Sequence, residues 1–341
     1  MNLIGLEKVL ENEPKYRLKQ ANEAVFKNFI SDWSEATFFT KVLRDKLNKE
    51  CSLEIKADVL VSKKEESVKA KITLEDGLEI ETVLMRHKDG RNTVCVSSQV
   101  GCPMNCAFCA TGKMGFIRNL TAEEILEQVI FFNRYLKKES GLLRQCSGGP
   151  KHVTNVTFMG MGEPFLNYEN VMKAIRILNN KDYFNIGARS ISVSTCGVIE
   201  GIERFSNEGL QLNLAISLHA PNDKLRSSLM PINKTYNLAK LFLAIDGYIK
   251  KTKRKVMFEY VLIEDINDSD DCARQLAKIM AKKLYFVNLI LYNPTGPFKP
   301  STTSRAESFK AILKKKNINF VQRYRFGDDI KAACGQFATN Q

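Results

Sequence analysis

The stretch CPMNCAFC at residues 102–109 places three cysteines in one short segment. Cys102, Cys106 and Cys109 follow the spacing C-x3-C-x2-C, with a glycine before and a proline after the first of them, which favours a tight loop. Thiolates are the protein ligands of iron–sulfur clusters, and close spacing lets a single loop surround one cluster. Because three thiols cannot ligate four irons, the loop predicts a cluster with one iron open to a ligand that is not protein. A zinc site would normally require a fourth cysteine or histidine nearby, and none lies close in the sequence.

The segments around this loop predict an α/β fold. From about residue 92, short apolar segments alternate with helical ones, and a capping box at Thr121–Glu124 begins one of the helices. Such alternation predicts a parallel sheet with right-handed crossovers, and in barrel-like folds the chemistry lies where the strands end. The predicted strands are Thr93–Ser97, Val153–Phe158, Ile191–Thr195, Leu212–Ser217, Val256–Leu262, Val287–Tyr292 and Phe320–Tyr324.

The chain divides into three regions by pattern. Residues 1–50 are predicted to form a small helical N-terminal domain, because their apolar residues recur with helical spacing. Residues 51–90 are predicted to form a short β segment, with a hairpin turn at Asp76-Gly77. Residues 91–341 are predicted to form the main domain, which contains one loop insertion at Gly141–Lys151 and ends in an irregular loop.

The charge balance of the chain is compatible with two kinds of surface. The 341 residues include 51 lysines and arginines against 38 aspartates and glutamates, a net charge of +13. A surplus of this size fits a polyanionic partner such as a nucleic acid, and a solvated surface explains it equally well. The basic runs 250–255 and 314–316 are candidates for phosphate binding or for solvated helix ends. The absence of a membrane-spanning apolar stretch and of a signal-peptide pattern predicts a cytoplasmic protein without a membrane partner.

The nine cysteines are an odd number, and in a cytosolic chain they favour metal ligands or reactive thiols over a disulfide framework. Besides the three in the loop, Cys95 and Cys334 stand in unusual contexts. Taken alone, Cys95 reads as a buried strand residue, whereas Cys334 lies in a loop with few apolar neighbours, which is a poor place for a core residue. The remaining four are predicted to be small hydrophobic residues: Cys51, Cys146, Cys196 and Cys272.

The cysteine spacing, with Phe108 before the last cysteine, resembles the radical S-adenosylmethionine (SAM) superfamily. The resemblance implies a (βα)6-type partial barrel and a [4Fe-4S] cluster on Cys102, Cys106 and Cys109. It also implies that the open iron chelates the amino and carboxylate groups of SAM. One-electron transfer then splits SAM to a 5′-deoxyadenosyl radical, so that the cofactor supplies the difficult chemistry and the protein directs it.

The segment Val156–Pro164 looks like the glycine-rich SAM-binding loop of that superfamily. Glycines let the backbone approach a ligand closely, and Glu163 is a suitable acceptor for the SAM ammonium group. An ordinary strand-to-helix turn is the alternative, and His219 taken alone is more typical of a structural histidine. By the resemblance, the SAM contacts are Gly162, Glu163, Ser194, Ser217, Leu218, His219 and Asn293.

Further motifs resemble one family within the superfamily, the radical SAM RNA adenine methyltransferases. They are CVSSQVG at residues 95–101, NLT at 119–121 and GDDIKAACGQ at 327–336, and the similarity extends to YRLKQ at 16–20. The similarity therefore covers essentially the whole chain. It is specific because two isolated cysteines, Cys95 and Cys334, each recur within a motif of their own.

The resemblance implies a mechanism with two reactive cysteines and two SAM molecules for each methyl group transferred. Cys334 is methylated first, as an ordinary thiolate, and the radical then removes a hydrogen from that methyl group. The resulting carbon radical adds to the adenine, a base removes the ring proton, and Cys95 attacks the Cys334 sulfur. The product leaves a disulfide bond behind, which must be reduced. Glu81 matches the family's proposed proton acceptor. A single glutamate is usually just solvated, and this sequence carries one more residue between Glu81 and Cys95 than the family pattern.

The family also implies the substrate. Most members methylate C2 of an adenine in the peptidyl-transferase region of 23S rRNA, and some also methylate tRNA beside the anticodon. A sister group methylates C8 of the same rRNA adenine and confers antibiotic resistance. Pro164 within GEPFLN (162–167) favours the C2 group. The resemblance further implies protein-poor rRNA as the substrate during assembly, docking of RNA on the N-terminal domain, a monomer, and an electron donor such as flavodoxin or ferredoxin.

Two other functions remain as alternatives. A radical SAM enzyme acting on a peptide or a small molecule would have no need of Cys95 and Cys334 in their full motifs. A non-enzymatic RNA-binding protein with a structural iron–sulfur cluster would need a fourth cluster ligand and no Cys334.

Overall fold

The computed structural model describes residues 5–142 and 150–339. Its α-helices are α1 (Leu6–Val9), α2 (Tyr16–Phe26), α3 (Lys41–Glu50), α4 (Ala110–Lys113), α5 (Ala122–Leu142), α6 (Tyr168–Asn179), α7 (Ile199–Phe205), α8 (Asp223–Leu229), α9 (Leu238–Thr252), α10 (Asp270–Ile279) and α11 (Thr303–Lys315). Its strands are β1 (Lys56–Val61), β2 (Ser67–Thr73), β3 (Glu79–Arg86), β4 (Asn92–Cys95), β5 (Gln99–Gly101), β6 (Phe116–Asn119), β7 (Asn155–Phe158), β8 (Ile191–Thr195), β9 (Asn213–Ser217), β10 (Val256–Leu262), β11 (Tyr285–Leu291) and β12 (Phe320–Gln322).

Within the described residues, one large sheet has the strand order β1-β2-β3-β4-β7-β8-β9-β10-β11-β12. The pairs β1–β2, β2–β3 and β3–β4 are antiparallel, and all later pairs in this order, from β4–β7 to β11–β12, are parallel. Six βα units followed by the short strand β12 form this parallel part, which confirms the predicted (βα)6-type partial barrel. The parallel arrangement places the C-terminal ends of these strands along one edge, where loops from different units meet.

The predicted strands are confirmed: seven of their fourteen ends coincide with the observed ends, and the other seven differ by one or two residues. Parallel strands covered by helices on one face and by the barrel interior on the other are apolar along most of their length, as Val256–Leu262 illustrates. The capping box is also present, because Glu124 accepts from the Thr121 backbone N–H at 2.8 Å while its own N–H donates to the Thr121 hydroxyl at 3.2 Å.

The hairpin predicted at Asp76-Gly77 joins β2 to β3. Gly77 has a φ of +82°, which glycine adopts without strain, and the Leu78 N–H donates to the Asp76 carboxylate at 3.1 Å. The loop insertion predicted at Gly141–Lys151 falls mainly on residues 143–149, which lie outside the described residues. Its first two residues instead continue α5, so the prediction began the loop too early.

The N-terminal region is helical, as predicted, and it packs on the main domain. The Trp33 indole N–H donates to the carbonyl of Cys51 at 2.8 Å, and both residues are buried. From α5, the guanidinium of Arg134 donates to the carbonyls of Leu53 and Ile30. Burial lowers the pKa of Arg134 to about 10. Arg134 therefore joins the N-terminal helices to the barrel through two backbone acceptors.

We expect Arg134→Met to lower the free energy of unfolding by about 3 kcal/mol, because two carbonyls lose a charged donor and remain in a partly buried place. Urea denaturation measures this change. Arg176→Met is the control, since Arg176 is exposed and its ion pair with Glu208 is worth less than about 1 kcal/mol. Equal losses in the two variants would show that Arg134 has no special anchoring role.

The described part of the chain contains no helix that is long and apolar enough to cross a membrane.

Candidate active site

The cysteine loop lies between β5 and β6, which pair as a separate two-stranded sheet. The Cys102 N–H donates to the Gly115 carbonyl at 2.7 Å, and the Cys109 N–H donates to the Cys106 carbonyl at 3.1 Å. Cys109 immediately precedes α4, and all three cysteines are partly buried. The loop thus holds three thiols on one curved segment of backbone.

The electrostatics of these thiols fit a cationic metal cluster. Burial raises the pKa of Cys102 to about 12 and that of Cys106 well above its usual value, and the neighbouring thiols of the loop raise both further. Three thiolates so close together need positive charge, and soft sulfur donors are the ligands that iron–sulfur clusters use. Within residues 5–142 and 150–339, no three potential ligands stand around the position of a single metal ion. Thiols alone form the donor set of this loop, and such a set fits the predicted iron–sulfur cluster.

Gly101 shapes the start of the loop. Its φ is +73°, and a Cβ placed there would lie 1.9 Å from the Gly115 carbonyl oxygen, which also accepts the Cys102 N–H bond. That contact involves backbone on both sides, so no side-chain rotation relieves it. Gly115 also has a positive φ, of +77°, but a Cβ there meets nothing within 4 Å. Substitutions at the two glycines therefore distinguish two effects: steric crowding at Gly101, and the strain of a left-handed backbone alone at Gly115.

We expect Gly101→Ala to lose most of its bound iron after anaerobic reconstitution, because the clash displaces Cys102 from the loop. Gly115→Ala should keep near-normal iron, since it introduces only the roughly 1–2 kcal/mol strain of a left-handed residue. Iron and sulfide analysis with the visible absorption spectrum measures both variants. Retention of full iron by Gly101→Ala would contradict this account of the loop.

Two glycines in the predicted SAM-binding loop are surrounded by protein. A Cβ on Gly160 would lie 2.7 Å from the Ser97 hydroxyl oxygen, and a Cβ on Gly162 would lie 2.6 Å from the Cβ of Gln99. The segment after β4 therefore needs both glycines in order to pack against the end of β7. Their approach to a ligand remains a prediction.

Glu163 follows these glycines and is buried. Its carboxylate accepts the N–H of Phe165 at 3.1 Å and the N–H of Cys196 at 2.8 Å. Burial raises the pKa of Glu163, while the bonds from Cys196 and Phe165 oppose that increase. The side chains of Thr195 and Cys196 also hydrogen-bond this carboxylate, so its contact with the SAM ammonium group stays a prediction. The carboxylate also ties the end of β7 to the end of β8.

The other predicted SAM contacts lie at or just beyond the ends of neighbouring strands. Ser194 lies in β8 and Ser217 ends β9, while Asn293 follows β11. The Asn293 side-chain amide donates to the Cys334 carbonyl at 3.0 Å, and its buried Oδ1 has no hydrogen-bond partner among the described residues. A buried acceptor without a partner is costly unless a ligand or water satisfies it. Asn293 is thus suited to bind a ligand.

The His219 side chain has a structural role. Its Nδ1 accepts the Val261 N–H at 3.1 Å, and its ring packs edge-on against Phe108 with the centroids 4.7 Å apart. Burial and the nearby Arg226 lower its pKa to about 3, which keeps the imidazole neutral. The alternative of a structural histidine therefore describes the ring, whereas the contact of His219 with SAM stays a prediction. The backbone of His219 has a φ of +55°.

Arg226 is a buried residue of this site that sequence reasoning missed. Its guanidinium donates to the carbonyls of Cys196 at 2.7 Å, Leu218 at 3.3 Å and Ser217 at 3.2 Å. It therefore holds the ends of β8 and β9 together beneath the cysteine loop. No signal in the sequence indicates this, because a single arginine in the short helix α8 looks like a surface residue.

Cys334 lies in a C-terminal segment, residues 327–339, that crosses the site. The Ala110 N–H donates to the Gly335 carbonyl at 2.8 Å, and the Thr111 hydroxyl donates to the Phe337 carbonyl at 2.7 Å. These bonds attach the segment to the helix that follows the cysteine loop. Cys334 is exposed and lies on the wall of a cavity of about 770 Å³. The structure thus brings the cysteine loop and the most distant cysteine together.

Glu81 and Lys69 hold the other side of this segment. Their side chains form a buried ion pair of 2.6 Å, the Glu81 carboxylate accepts the Ala338 N–H at 3.1 Å, and the Lys69 ammonium donates to the Lys331 carbonyl at 3.2 Å. Burial raises the pKa of Glu81, and Lys69 opposes the increase. The alternative of a solvated glutamate is wrong, because Glu81 is buried where the hairpin meets the C-terminal segment.

Cys95 ends β4 and is buried, as expected for a strand residue. Burial raises the pKa of its thiol to about 12, and the nearby Cys334 adds to the increase. The eight cysteines in the described part of the chain are all free, so the structure does not support the disulfide bond expected between Cys95 and Cys334. Cys51, Cys196 and Cys272 are buried as predicted, and Cys146 lies outside the described residues.

Arg323 is the second residue that sequence reasoning missed. It follows β12, and its guanidinium donates to the Met159 sulfur at 3.3 Å. Although Cys334 is exposed to the cavity, the protein around its sulfur keeps water away on the other side and raises the pKa of the thiol, whereas Arg323 lowers the pKa of both Cys334 and Cys95. Arg323 therefore favours the thiolate form of both thiols. The alternation along β12 gives a weak signal for an inward residue, but nothing in the sequence pairs it with Cys95.

The two basic runs differ in how much of their charge is available. In the first, Arg254 donates to the Leu212 carbonyl at 2.9 Å and to the Asn213 side chain at 2.8 Å, and Lys253 adopts a left-handed conformation that ends α9. That run is thus partly structural. The second run, 314–316, is exposed at the end of α11.

Comparison with known proteins agrees with this geometry. The profile described as the Radical SAM superfamily matches residues 96–276. The chain is 42% identical over 338 residues to the probable dual-specificity RNA methyltransferase RlmN of Streptococcus thermophilus, covering 97% of this chain and 85% of the relative. It is 44% identical over 330 residues to the protein of the same name from Carboxydothermus hydrogenoformans, covering 95% and 92%. A crystal structure of a radical SAM methyltransferase from Sphaerobacter thermophilus matches with a TM-score of 0.90 at 42% identity, covering 99% of this chain and 97% of that one.

Proposed function

The chain belongs to the RlmN family of dual-specificity RNA methyltransferases in the radical SAM superfamily, and on this basis we propose that it methylates C2 of an adenine in 23S rRNA through Cys334. The observation that carries the proposal is the position of Cys334. Four hydrogen bonds from the cysteine-loop side, from Asn293 and from Glu81 hold its segment over the site, and the thiol remains exposed to a large cavity. A surface cysteine without a function would need no such support.

Membership of the superfamily implies SAM and an iron–sulfur cluster. We propose a [4Fe-4S] cluster held by Cys102, Cys106 and Cys109, and the three thiols on one loop support it. When bound, these groups would supply the radical that removes a hydrogen from a methyl group. The residues proposed to contact SAM are Gly162, Glu163, Ser194, Ser217, Leu218, the backbone of His219, and Asn293.

Cys334 is proposed to carry the methyl group. Its thiol loses a proton and its sulfur takes the methyl group of one SAM, whose methyl–sulfonium bond breaks to release S-adenosylhomocysteine. Arg323 assists this step because it favours the thiolate. Once a hydrogen has been removed from this methyl group, its carbon bonds to C2 of the adenine. Enzyme and RNA are then joined covalently through Cys334.

Release of the product requires a base and a second thiol. Glu81 is proposed to accept the proton from the adenine ring, since it is a buried carboxylate with a raised pKa beside the Cys334 segment. Cys95 then attacks the Cys334 sulfur, the sulfur–sulfur bond forms, and the carbon–sulfur bond breaks, with its electron pair going to the carbon, which takes up a proton. The one unpaired electron that the carbon radical brought to the adduct would leave to the proposed iron–sulfur cluster, so that the product and the disulfide are both closed-shell. The remaining disulfide needs a reductant before the next cycle.

The choice of C2 rests on Pro164, which begins a short 3-10 helix after Glu163. Methylation of C8 is the second candidate. We propose 23S rRNA, in a protein-poor state, as the main substrate and tRNA as a second one, in line with the dual specificity in the relatives' names. The electron donor is proposed to be a small redox protein such as flavodoxin or ferredoxin, and the enzyme is proposed to act as a monomer.

The test uses the full chain, reconstituted anaerobically and incubated with reductant, 23S rRNA and SAM whose transferable methyl group is fully deuterated. Digested RNA is compared with 2-methyladenosine and 8-methyladenosine standards by mass spectrometry. We expect 2-methyladenosine that has lost one deuterium, because one is removed while the methyl group is on Cys334. An 8-methyl product would overturn the choice of carbon, and a fully deuterated methyl group would overturn the mechanism.

A further inference from the structure

The cavity on whose wall Cys334 and Arg323 lie shares Asn293 with the proposed SAM contacts, and the rest of its lining has no role in the sites described above. It opens on the side of the barrel, between the end of β12, the turn from β1 to β2 and the C-terminal segment. Its volume of about 770 Å³ lies in the range of small-molecule sites, and a nucleotide fits such a volume. Its lining includes Lys63, Lys64, Glu66, Asn293, Tyr324 and Cys334.

The proposed chemistry requires an adenine to reach this place. A carbon bond between the base and the Cys334 methyl group brings the base to the thiol, and a stacked or paired base has to leave its helix to do so. Cys334 is the one exposed cysteine of the eight in the described residues. A concave surface that ends at Cys334 is therefore the natural path for the flipped nucleotide.

Tyr324 presents an aromatic ring to this cavity. The ring is 53% exposed, yet it is fixed at both ends. Its hydroxyl donates to the Glu66 carboxylate at 3.0 Å, and the ring packs against Phe326 with the centroids 4.9 Å apart, while Phe326 in turn packs against His87. A nucleobase stacks well on an exposed ring that is already held in place. The side chain is ordered before RNA binds, so binding costs little of its conformational entropy.

The rim of the cavity offers positive charge. Lys63 and Lys64 are exposed on the β1–β2 turn, and neither has an ion-pair partner among the residues that the structure describes. The acidic residues of the rim are engaged, since Asp329 accepts the Lys63 N–H at 2.8 Å and Asp328 lies 3.3 Å from the Arg325 guanidinium. The two lysines are therefore available to RNA phosphates.

We propose that this cavity receives the flipped target nucleotide, with its adenine stacked on Tyr324 and its flanking phosphates beside Lys63 and Lys64. The proposal rests on the proposed function, because it takes adenine as the target and Cys334 as the methyl carrier. It assigns the recognition of RNA at the site to the β segment and the C-terminal segment, in addition to any docking by the N-terminal helices.

The test of stacking compares two RNAs. One is a hairpin of the 23S rRNA peptidyl-transferase loop, and the other has an abasic nucleotide in place of the target adenosine. Affinity for the full chain is measured by fluorescence anisotropy. We expect the wild type to prefer the adenosine RNA and Tyr324→Ala to lose that preference, roughly tenfold. Tyr324→Phe keeps the ring and should keep the preference. The stacking proposal would be overturned if Tyr324→Ala lowered the affinity for both RNAs equally, or lowered the affinity for neither.

The test of the rim uses charge removal. Lys63→Ala/Lys64→Ala should weaken both RNAs equally and reduce the slope of log affinity against log salt by about two. Lys315→Ala/Lys316→Ala removes the same charge at the end of α11, outside the cavity lining, and should leave the slope nearly unchanged. If the slope of log affinity against log salt falls equally in the two double variants, the phosphates are not bound at this rim.

A separate readout distinguishes this proposal from the proposed function. Mass spectrometry of the protein detects methylated Cys334, and digestion of the RNA detects methyladenosine. If the wild type methylates RNA and Tyr324→Ala does so with unchanged KM and unchanged RNA preference, the cavity proposal fails alone. If the wild type prefers adenosine RNA through Tyr324 but never methylates it, the proposed function fails alone.

Discussion

Cys334→Ala is expected to lower methyladenosine formation at least about a thousandfold, to the limit of detection, while iron content and RNA affinity stay near normal. The variant has no sulfur to accept the methyl group, and C2 of adenine is an electron-poor carbon that does not attack SAM by itself. The segment keeps its support, because the bonds to Ala110, Thr111 and Asn293 use carbonyls of residues 334–337. The loss is therefore one of chemistry and not of folding.

The measurement is quantification of methyladenosine by mass spectrometry in single-turnover and multiple-turnover reactions. Cys272→Ala is the matched control, since Cys272 is buried in α10, away from the site, and should keep activity within about twofold. Methyladenosine from Cys334→Ala at more than a few per cent of the control would mean that another group carries the methyl.

Cys95→Ala is expected to trap the enzyme on its RNA. Methyl transfer to Cys334 and carbon bonding to the adenine need no second thiol, so both proceed. Without the Cys95 attack the carbon–sulfur bond has no route to break, and the covalent complex accumulates towards one RNA for each active chain. We expect multiple turnover to fall by at least about a hundredfold.

Denaturing gel electrophoresis detects the trapped complex as a protein band of reduced mobility. Nuclease digestion should increase the mobility of this band, and thiol reductants should leave it unchanged. Cys334→Ala/Cys95→Ala should give no such band, which shows that the link runs through Cys334. Released methyladenosine with normal turnover from Cys95→Ala would remove Cys95 from the mechanism and leave its burial in β4 as a packing feature.

Much of the fold was predictable because each parallel strand carries its own apolar signal. The segment Val256–Leu262 is buried nearly throughout and was predicted at its observed bounds. Turn chemistry was equally local, as in the hairpin at Asp76-Gly77 and the capping box at Thr121. The end of α5 was predicted less well, since helical bonding continues through Gly141 despite its low helix propensity.

The candidate site was predictable where function depends on spacing and not where it depends on long-range contacts. Cys102, Cys106 and Cys109 stand close together in sequence, so their common loop follows from spacing. Arg226 donates to backbone carbonyls at the ends of other strands, and Arg323 lowers the pKa of thiols in other segments of the chain. The residues that flank each arginine in the sequence look like those of an ordinary exposed segment. Charged residues indicate a site only when their burial is known, and burial is a property of the whole fold.

The attachment of the C-terminal segment has a consequence for how the protein is made. The ribosome releases the cysteine loop, β5 and β6 long before it releases Cys334, so a nascent chain holds the complete cluster loop while the methyl carrier is still unsynthesised. The bonds of Ala110 to Gly335, Thr111 to Phe337 and Glu81 to Ala338 form only after that last stretch has emerged. Order of synthesis thus separates the appearance of the proposed cluster loop from the arrival of the thiol that is proposed to carry the methyl group.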